Sequence, residues 1–218
     1  MDTAVLPTSR TLPLSPCDNR FSLRLCSICD VGDFCLAERE APRLRALDAR
    51  VEHSAAYLEG STLFRAGDAL TALTVVRTGT VKLFTVEPCG SERILGFAHA
   101  GDAIGLDAIH AGRHACHAVA LETTSLCQLS FAMVTQLIQG TPPLQRSLLN
   151  LLSRQIAEAH LLLGRYTAEQ RLATLFLRLS RHARRRGLSA TRLRLGMPRG
   201  DIANYLRLTP ETISRLLR

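Results

Sequence analysis

The stretch PRGDIANYLRLTPETISRLLR, residues 198–218, has the pattern of a helix–turn–helix. We expect a first helix from Asp201 to Leu206, in which the small side chain of Ala203 lets a second helix pack closely. Thr209 offers an N-cap hydroxyl, and Pro210 takes the first helical position, which needs no backbone donor. The stretch therefore predicts two short helices joined by a tight turn.

The second helix carries the predicted contacts to DNA. The apolar residues that can face the core are Ile202, Leu206, Ile213 and Leu216. Glu211, Ser214 and Arg215 then point outward, where a major-groove reader places its base-specific side chains. An ordinary helical hairpin is the alternative interpretation of the same pattern.

Two features depart from the usual motif. Arg207 stands at the turn where glycine is common, and a left-handed conformation there costs a non-glycine residue roughly 1–2 kcal/mol. The sequence also stops at Arg218, so we expect the wing of a winged-helix domain to be truncated.

Charge is divided unevenly along the chain. Residues 1–140 hold 12 Lys+Arg and 15 Asp+Glu, whereas residues 141–218 hold 15 arginines and four acidic residues, a balance of +11. A basic module joined to a mildly acidic one indicates that the C-terminal part meets a polyanion. A solvated basic surface is the alternative. Arg199 belongs to this region and is expected to contact the DNA backbone.

The middle of the chain predicts β-structure followed by helices. Short β-runs broken by glycine turns between 61 and 131 are typical of a sandwich or barrel, with a hairpin tip at 87–91. Residues 143–165 predict a long amphipathic helix, and 168–186 a second helix that opens with a capping box at Thr167 and Gln170. A helix is also plausible over 41–58.

The N-terminus argues against membrane and secreted proteins. The sequence has no apolar run long enough to span a bilayer, and its N-terminus has no apolar core of a secretory signal. We expect a cytoplasmic protein with a disordered segment at residues 1–20.

Seven cysteines, at positions 17, 26, 29, 35, 89, 116 and 127, form an odd number, and a reducing cytosol argues against a disulfide framework. Thiolate chemistry, metal ligation and simple burial remain as their roles. Cys26, Cys29 and Cys35 place three thiolates within ten residues. An iron–sulfur cubane needs a fourth thiolate, which Cys17, Cys89, Cys116 or Cys127 could supply. A three-cysteine zinc site, and for Cys127 simple burial in a strand, remain open.

Together these motifs resemble the FNR branch of the cyclic-AMP receptor protein (CRP/FNR) family over about 200 of the 218 residues. The stretches that carry the resemblance are LFRAGD, RTGTVK, GSERILGFAHAGDAIGLDAI, ALETTSLCQLSF, TAEQRLATLFLRLS and RGDIANYLRLTPETISRLL.

The resemblance implies an α+β fold: a cyclic-nucleotide-binding-like β-roll, a double-stranded β-helix of jelly-roll type, then a dimerisation helix and a winged-helix-type domain. The implied segments are a cysteine-rich segment at 21–40, the β-roll at 41–142, the dimerisation helix at 143–165 and the DNA-binding domain at 166–218. The implied dimer contacts are Leu148, Leu152, Ile156, Ala159 and Leu163.

For function, the resemblance implies a [4Fe–4S] cluster on Cys26, Cys29, Cys35 and Cys127. The cluster forms without oxygen and favours a homodimer, which binds a palindromic FNR-like site in double-stranded DNA and contacts RNA polymerase. The implied DNA contacts are Glu211, Ser214 and Arg215, with Thr209 and Arg199 beside them. Oxygen degrades the cluster and releases the DNA.

Three rival functions share part of this pattern. A cyclic-nucleotide-gated regulator needs an Arg-Ser pair against the phosphate, but here Arg113 is followed by His114. A zinc- or thiol-switched regulator of the same fold is the second. A redox enzyme or electron carrier is the third, but nothing resembles a substrate pocket. The histidines His110, His114 and His117 are expected on the surface or in loops.

Overall fold

The computed structural model describes residues 52–54, 56–140, 142–163 and 166–218. Its N-terminal part consists of two four-stranded antiparallel sheets with the strand orders β1-β8-β3-β6 and β2-β7-β4-β5. The strands are β1 (Glu52–His53), β2 (Thr62–Phe64), β3 (Ala72–Thr78), β4 (Thr80–Val86), β5 (Glu92–His99), β6 (Ala103–Ile104), β7 (His117–Ala120) and β8 (Ser125–Ser130). The predicted β-roll of jelly-roll type is confirmed.

Alternating apolar residues hold the two sheets together. Val76 and Leu126 from one sheet pack with Val81 and Ala118 from the other in a buried cluster. Gly79 makes the turn between β3 and β4 at φ 90°, and a Cβ there would lie 2.3 Å from the Thr124 hydroxyl. The turn therefore requires glycine for its conformation and for its space.

Five α-helices follow the strands in the described residues. They are α1 (Phe131–Gly140), α2 (Pro142–Leu163), α3 (Ala168–Arg185), α4 (Arg199–Leu206) and α5 (Pro210–Leu216). The long helix predicted over 143–165, the capped helix and the helix–turn–helix are all present. At the start of α3, the Thr167 side chain accepts from the Gln170 backbone amide, and the Gln170 side chain accepts from the Thr167 amide.

One prediction of local structure was wrong at its end, and one helix was not predicted. The helical pattern proposed over 41–58 does not continue to its end, since Glu52–His53 is a strand and Tyr57 pairs with Thr124 as a β-bridge. The rest of that pattern lies outside the described residues. Helix α1 was not predicted, because its apolar residues follow β8 without a break. Phe131 and Ile138 pack beside buried Val134 on the outer face of the β1-β8-β3-β6 sheet.

The helix–turn–helix packs directly on the β-roll. A single apolar cluster joins Phe84 and Phe97 of β4 and β5 to buried Leu175, Ile202 and Ile213 of the C-terminal helices. Within the described part of the chain, no helix is both long and apolar enough to cross a lipid bilayer.

Candidate functional site

The second helix of the C-terminal motif is capped as its sequence predicts. Thr209 precedes α5 in an extended conformation, and its hydroxyl accepts from the Thr212 backbone amide at 3.2 Å. Pro210 occupies the first turn. On the inner face of the helix, Ile213 is fully buried against Ile202 and Ala203 of α4. Cap and core together fix which face of α5 meets solvent.

The predicted reading residues lie on the outward face of α5. Glu211 and Arg215 are exposed, and Ser214 is half-buried between them. Arg199 is exposed in the first turn of the neighbouring helix α4. Thr209 is exposed, and its hydroxyl is already used as the cap of α5.

The turn between the two helices takes the conformation expected from the sequence. Arg207 has φ 55° and ψ 47°, and it is the one non-glycine residue with positive φ in the described part of the chain. The helix end before it is stabilised from outside the motif, because the Arg171 guanidinium of α3 donates to the Leu206 carbonyl at 3.0 Å. Arg207 therefore carries strain that a glycine would not.

Cys127 lies in the middle of β8, paired on both sides. Its register partners are His53 on β1 and Val75 on β3. The side chain is half-buried and packs against the apolar cluster that also receives Leu148 and Leu152 of α2. Cys127 thus lies beside β1 and shares an apolar cluster with the long helix.

The other two described cysteines have contrasting environments. Cys116 is buried, and burial together with the neighbouring Asp107 carboxylate raises the pKa of its thiol to about 12. Cys89 is exposed at the hairpin tip, where hydrogen bonding to Ser91 lowers the pKa of its thiol. A ligand must be a thiolate, so the environment of Cys116 opposes a role as a ligand.

Cys17 and the triplet Cys26, Cys29 and Cys35 lie outside the described residues. In residues 52–54, 56–140, 142–163 and 166–218, no three His, Cys, Asp or Glu side chains are grouped so as to hold a metal ion. Cys127 would therefore need partners from residues 1–51.

The predicted dimer residues of α2 differ in how far the β-roll of the same chain covers them. Leu148 and Leu152 are half-buried against the β-roll of the same chain, whereas Ile156 is 57% exposed and Ala159 is exposed. Of Leu163 only the backbone is described. Leu149, which the sequence analysis did not select, is 59% exposed. A 3-4 spacing starting at Leu149 would have identified it.

The loop that would hold a cyclic nucleotide is stabilised by its own side chains. The exposed Arg113 guanidinium donates to the Gly67 carbonyl at 2.7 Å. His114 lies in the loop before β7, as expected, but it is buried there, with its ring stacked on Phe64 at 3.8 Å between centroids. His117 also stacks, on Phe84, while His110 is exposed.

Sequence reasoning missed the residues that join the two domains. Lys82, the only lysine among 27 basic residues, lies 2.6 Å from Glu92 and 3.7 Å from Asp201 of α4. Asn204 of α4 forms hydrogen bonds with β5. The isolated lysine was a visible signal, but nothing in the sequence placed it beside α4.

Comparisons with known proteins agree with this geometry. The family model of the cyclic nucleotide-binding domain matches residues 55–141, and that of the Crp-like helix-turn-helix domain matches residues 170–218. The solved structure of FixK2 from Bradyrhizobium japonicum is 28% identical, with a TM-score of 0.67 over 77% of this chain and 82% of that one. The catabolite activator protein of Thermus thermophilus is 29% identical, with a TM-score of 0.51 over 84% of each chain.

Two characterised relatives are similar over most of their length. The electron transport regulator A of Shewanella oneidensis is 41% identical over 196 residues, which is 88% of this chain and 78% of the relative. The fumarate and nitrate reduction regulatory protein of Escherichia coli is 42% identical over 199 residues, with the same coverage. With this identity, and with a β-roll followed by a capped helix–turn–helix, the chain is a transcription regulator rather than an enzyme and belongs to the CRP/FNR family.

Proposed function

We propose that this protein is an oxygen-responsive transcription regulator of the cytoplasm whose DNA binding depends on a [4Fe–4S] cluster. Cys26, Cys29, Cys35 and Cys127 would hold the cluster. Without oxygen the protein would form a homodimer, bind a palindromic site in double-stranded DNA and contact RNA polymerase. The names of its relatives, regulators of electron transport and of fumarate and nitrate reduction, agree with control by respiratory conditions.

The cluster proposal rests above all on the pairing of β1 with β8. His53 lies opposite Cys127, and the triplet precedes His53 by 18 to 27 positions in the sequence. Cys35 is close enough in sequence to His53 for the intervening residues to span the distance easily. By contrast, Cys116 is buried with a pKa of about 12, and Cys89 lies at the tip of the other sheet. Four thiolates are the donor set that a cubane cluster requires.

The chain also offers a physical route from this thiol to the dimer helix. A bound cluster would supply a metal centre that dioxygen attacks. Cys127 packs on the apolar cluster that contains Val75 and Val134, and Leu148 and Leu152 of α2 pack on the same cluster. A change in how β8 is held at Cys127 would therefore reach α2 through direct packing.

Dimerisation would use the outward face of α2. Leu149 and Ile156 are large apolar side chains left more than half exposed, and an exposed apolar stripe on a helix is typical of an interface. With Leu152, Ala159 and Leu163 they follow the 3-4 spacing of a two-stranded coiled coil. Leu148, half-buried within its own chain, would contribute less than expected from sequence.

DNA recognition would use the exposed side chains of α5. An arginine fork matches the two acceptors of guanine, and a glutamate accepts from the cytosine amino group. Arg215 and Glu211 could therefore read one G·C pair of a two-fold site such as TTGAT-N4-ATCAA. Ser214 lies between them, and Arg199 would add contacts to phosphate.

The decisive experiment is the visible spectrum of anaerobic protein, with iron and sulfide assays, before and after air. We expect iron–sulfur absorption that is lost in air. Cys26→Ser, Cys29→Ser, Cys35→Ser and Cys127→Ser should each abolish it, whereas the control variants Cys89→Ser and Cys116→Ser should retain it. Stoichiometric zinc without iron in anaerobic protein would contradict the proposal and favour a zinc-switched regulator.

The assembly step has a separate test. Sedimentation of anaerobic protein should give a dimer, and air should increase the monomer fraction. Ile156→Glu should give monomer even without oxygen while leaving the spectrum unchanged. Saturable binding of cyclic AMP, or an oligomeric state indifferent to air, would contradict oxygen control.

A further inference from the structure

At the seam between the β-roll and the C-terminal domain, one side chain makes hydrogen bonds of the kind that a neighbouring β-strand would make. β5 is the outer strand of its sheet. On its open edge, the Asn204 side-chain oxygen accepts from the Ile94 amide at 2.9 Å, and the Asn204 side-chain nitrogen donates to the Glu92 carbonyl at 2.8 Å. The donor and acceptor roles are unambiguous because both partners are backbone groups.

This pair of hydrogen bonds is the pattern a neighbouring strand would make. The Asn204 carboxamide meets the two groups on either side of Arg93, as the N–H and C=O of one residue in a parallel strand would. An unpaired sheet edge normally recruits another chain or must be covered. Here, helix α4 covers the edge, and its Asn204 side chain makes both of these hydrogen bonds to the sheet.

Charged and apolar contacts surround this point. The Lys82 ammonium lies 2.6 Å from Glu92 and 3.7 Å from Asp201, and only 13% of the Lys82 side chain is exposed. Phe97 meets Tyr205 edge to face, with ring centroids 5.4 Å apart. Further along the seam, His182 of α3 hydrogen-bonds the Ala100 carbonyl at 2.8 Å. The first helix of the motif is therefore held to the sheet at several points.

We propose that Asn204 is a positioning residue for DNA recognition: by pairing with the edge of β5 it fixes the helix–turn–helix on the β-roll, so that α5 has one set position when DNA binds. Glu211 and Arg215 stay exposed in this docked arrangement, so docking leaves the reading face open. A dimer must present two reading helices about one DNA turn apart, which a loosely tethered domain does only at a cost in entropy. The positioning role rests on the proposed dimeric DNA binding, but the docking itself does not.

The single lysine gives a direct measure of docking. Lys82 and the N-terminal amine are the only primary amines of the chain, so an acetylating reagent with peptide mapping reports on each separately. Acetylation of Lys82 requires its ammonium to leave Glu92 and Asp201 and become accessible. The N-terminal amine serves as the internal control for reagent activity.

Two substitutions of Asn204 should weaken the docking of α4 to different degrees. Asn204→Leu keeps a similar volume and removes both hydrogen bonds, whereas Asn204→Asp keeps the acceptor for Ile94 but sets a carboxylate oxygen against the Glu92 carbonyl. We expect Lys82 of Asn204→Leu to acetylate about tenfold faster, the effect of losing two ordinary hydrogen bonds on an opening equilibrium. Asp201→Asn, a milder change in the same seam, should give a smaller increase and serves if the leucine variant does not fold.

DNA binding then separates positioning from damage to the motif. Anaerobic Asn204→Leu should bind the two-half-site palindrome about tenfold more weakly than wild type, while its affinity for a duplex with one half-site changes little. Unchanged Lys82 acetylation would overturn the docking role. Equal losses on both duplexes, or undiminished palindrome binding with Lys82 exposed, would overturn the positioning role. If wild-type protein bound neither duplex, the proposed function would fail, and acetylation alone would still decide the docking.

Discussion

The helix–turn–helix and the β-roll hold their candidate functional residues in opposite ways. Glu211, Ser214 and Arg215 lie within one short helix, and a local cap and a local buried face determine their exposure. Cys127 lies among three strands, between residues that are distant in sequence. The exposure of the α5 residues thus depends on contacts within a few positions of each residue. The environment of Cys127, the proposed ligand, depends instead on the fold of the whole β-roll.

This difference teaches that the environments of the cysteines cannot be inferred from their spacing. Cys89, Cys116 and Cys127 were equivalent candidates by position alone. The fold makes Cys89 exposed, Cys116 buried beside a carboxylate, and Cys127 half-buried between β1 and β3. The following predictions test the two regions against each other.

The largest effect concerns thiol reactivity within the β-roll. Burial and Asp107 raise the pKa of Cys116 to about 12, whereas hydrogen bonding to Ser91 lowers that of Cys89 below the usual 9.0. A raised thiol pKa means that thiolate appears only as the pH approaches 12. At pH 8 the thiolate fraction of Cys89 should exceed that of Cys116 by about a thousandfold or more.

Iodoacetamide labelling with peptide mapping measures this ratio. Cys89 should be alkylated early and Cys116 only on unfolding, while Asp107→Asn should make Cys116 more reactive than in wild type. Comparable rates for the two thiols in folded protein would refute the burial argument.

A second prediction concerns the core of the helix–turn–helix. Ile213→Ala should lower the free energy of unfolding by about 2–5 kcal/mol, because it removes a fully buried side chain from a packed cluster. Urea unfolding measures the loss, and Leu216→Ala, at a half-buried position, is the control with the smaller expected effect. A loss below about 1 kcal/mol for Ile213→Ala would mean that the site collapses without a cavity.

Base reading is the third and depends on local geometry alone. Arg215→Ala should weaken anaerobic binding to the palindrome by about 1–3 kcal/mol and relax the preference for G·C at the contacted pair. Binding to the palindrome and to a G→A variant measures both quantities. Arg199→Ala is the matched control, expected to weaken binding to both sequences equally and to reduce the salt dependence. Equal discrimination by wild type and Arg215→Ala would remove Arg215 from the reading role.

The helix cap comes next in size. Thr209→Ala removes the hydroxyl that accepts from the Thr212 amide and should destabilise the protein by about 1 kcal/mol. Thr209→Ser retains the hydroxyl and should be nearly neutral. If alanine and serine behave alike in thermal unfolding, the cap contributes nothing.

The smallest effect is a gain in stability at the turn. Arg207→Gly removes the strain of the left-handed conformation, about 1–2 kcal/mol, but gives back part of it through the greater freedom of glycine in the unfolded chain. We expect a net stabilisation of at most about 1 kcal/mol, visible as a higher midpoint of thermal unfolding. Arg207→Ala keeps the strain and should show no gain; an equal rise for both variants would point to the lost charge instead.

The sequence by itself determined the order of β-domain, long helix and C-terminal helices, and most of the helix–turn–helix. Caps at Thr167 and Thr209, the turn at Arg207 and the buried positions of α4 and α5 all follow from rules that act within one or two helical turns. The family resemblance added the placement of the proposed ligands. The helix α1 escaped prediction, since its apolar residues continue directly from β8.

Only the tertiary structure decided which residues distant in sequence lie in contact. Ser54 meets Leu126 across 72 positions, and Asn204 meets Ile94 across 110, distances at which periodicity and spacing carry no information. The partner of Cys127, the burial of His114 on Phe64 and the place of Lys82 in the seam were set in the same way. Local rules act through adjacent backbone groups, whereas pairing and burial depend on which distant segments the folded chain brings together.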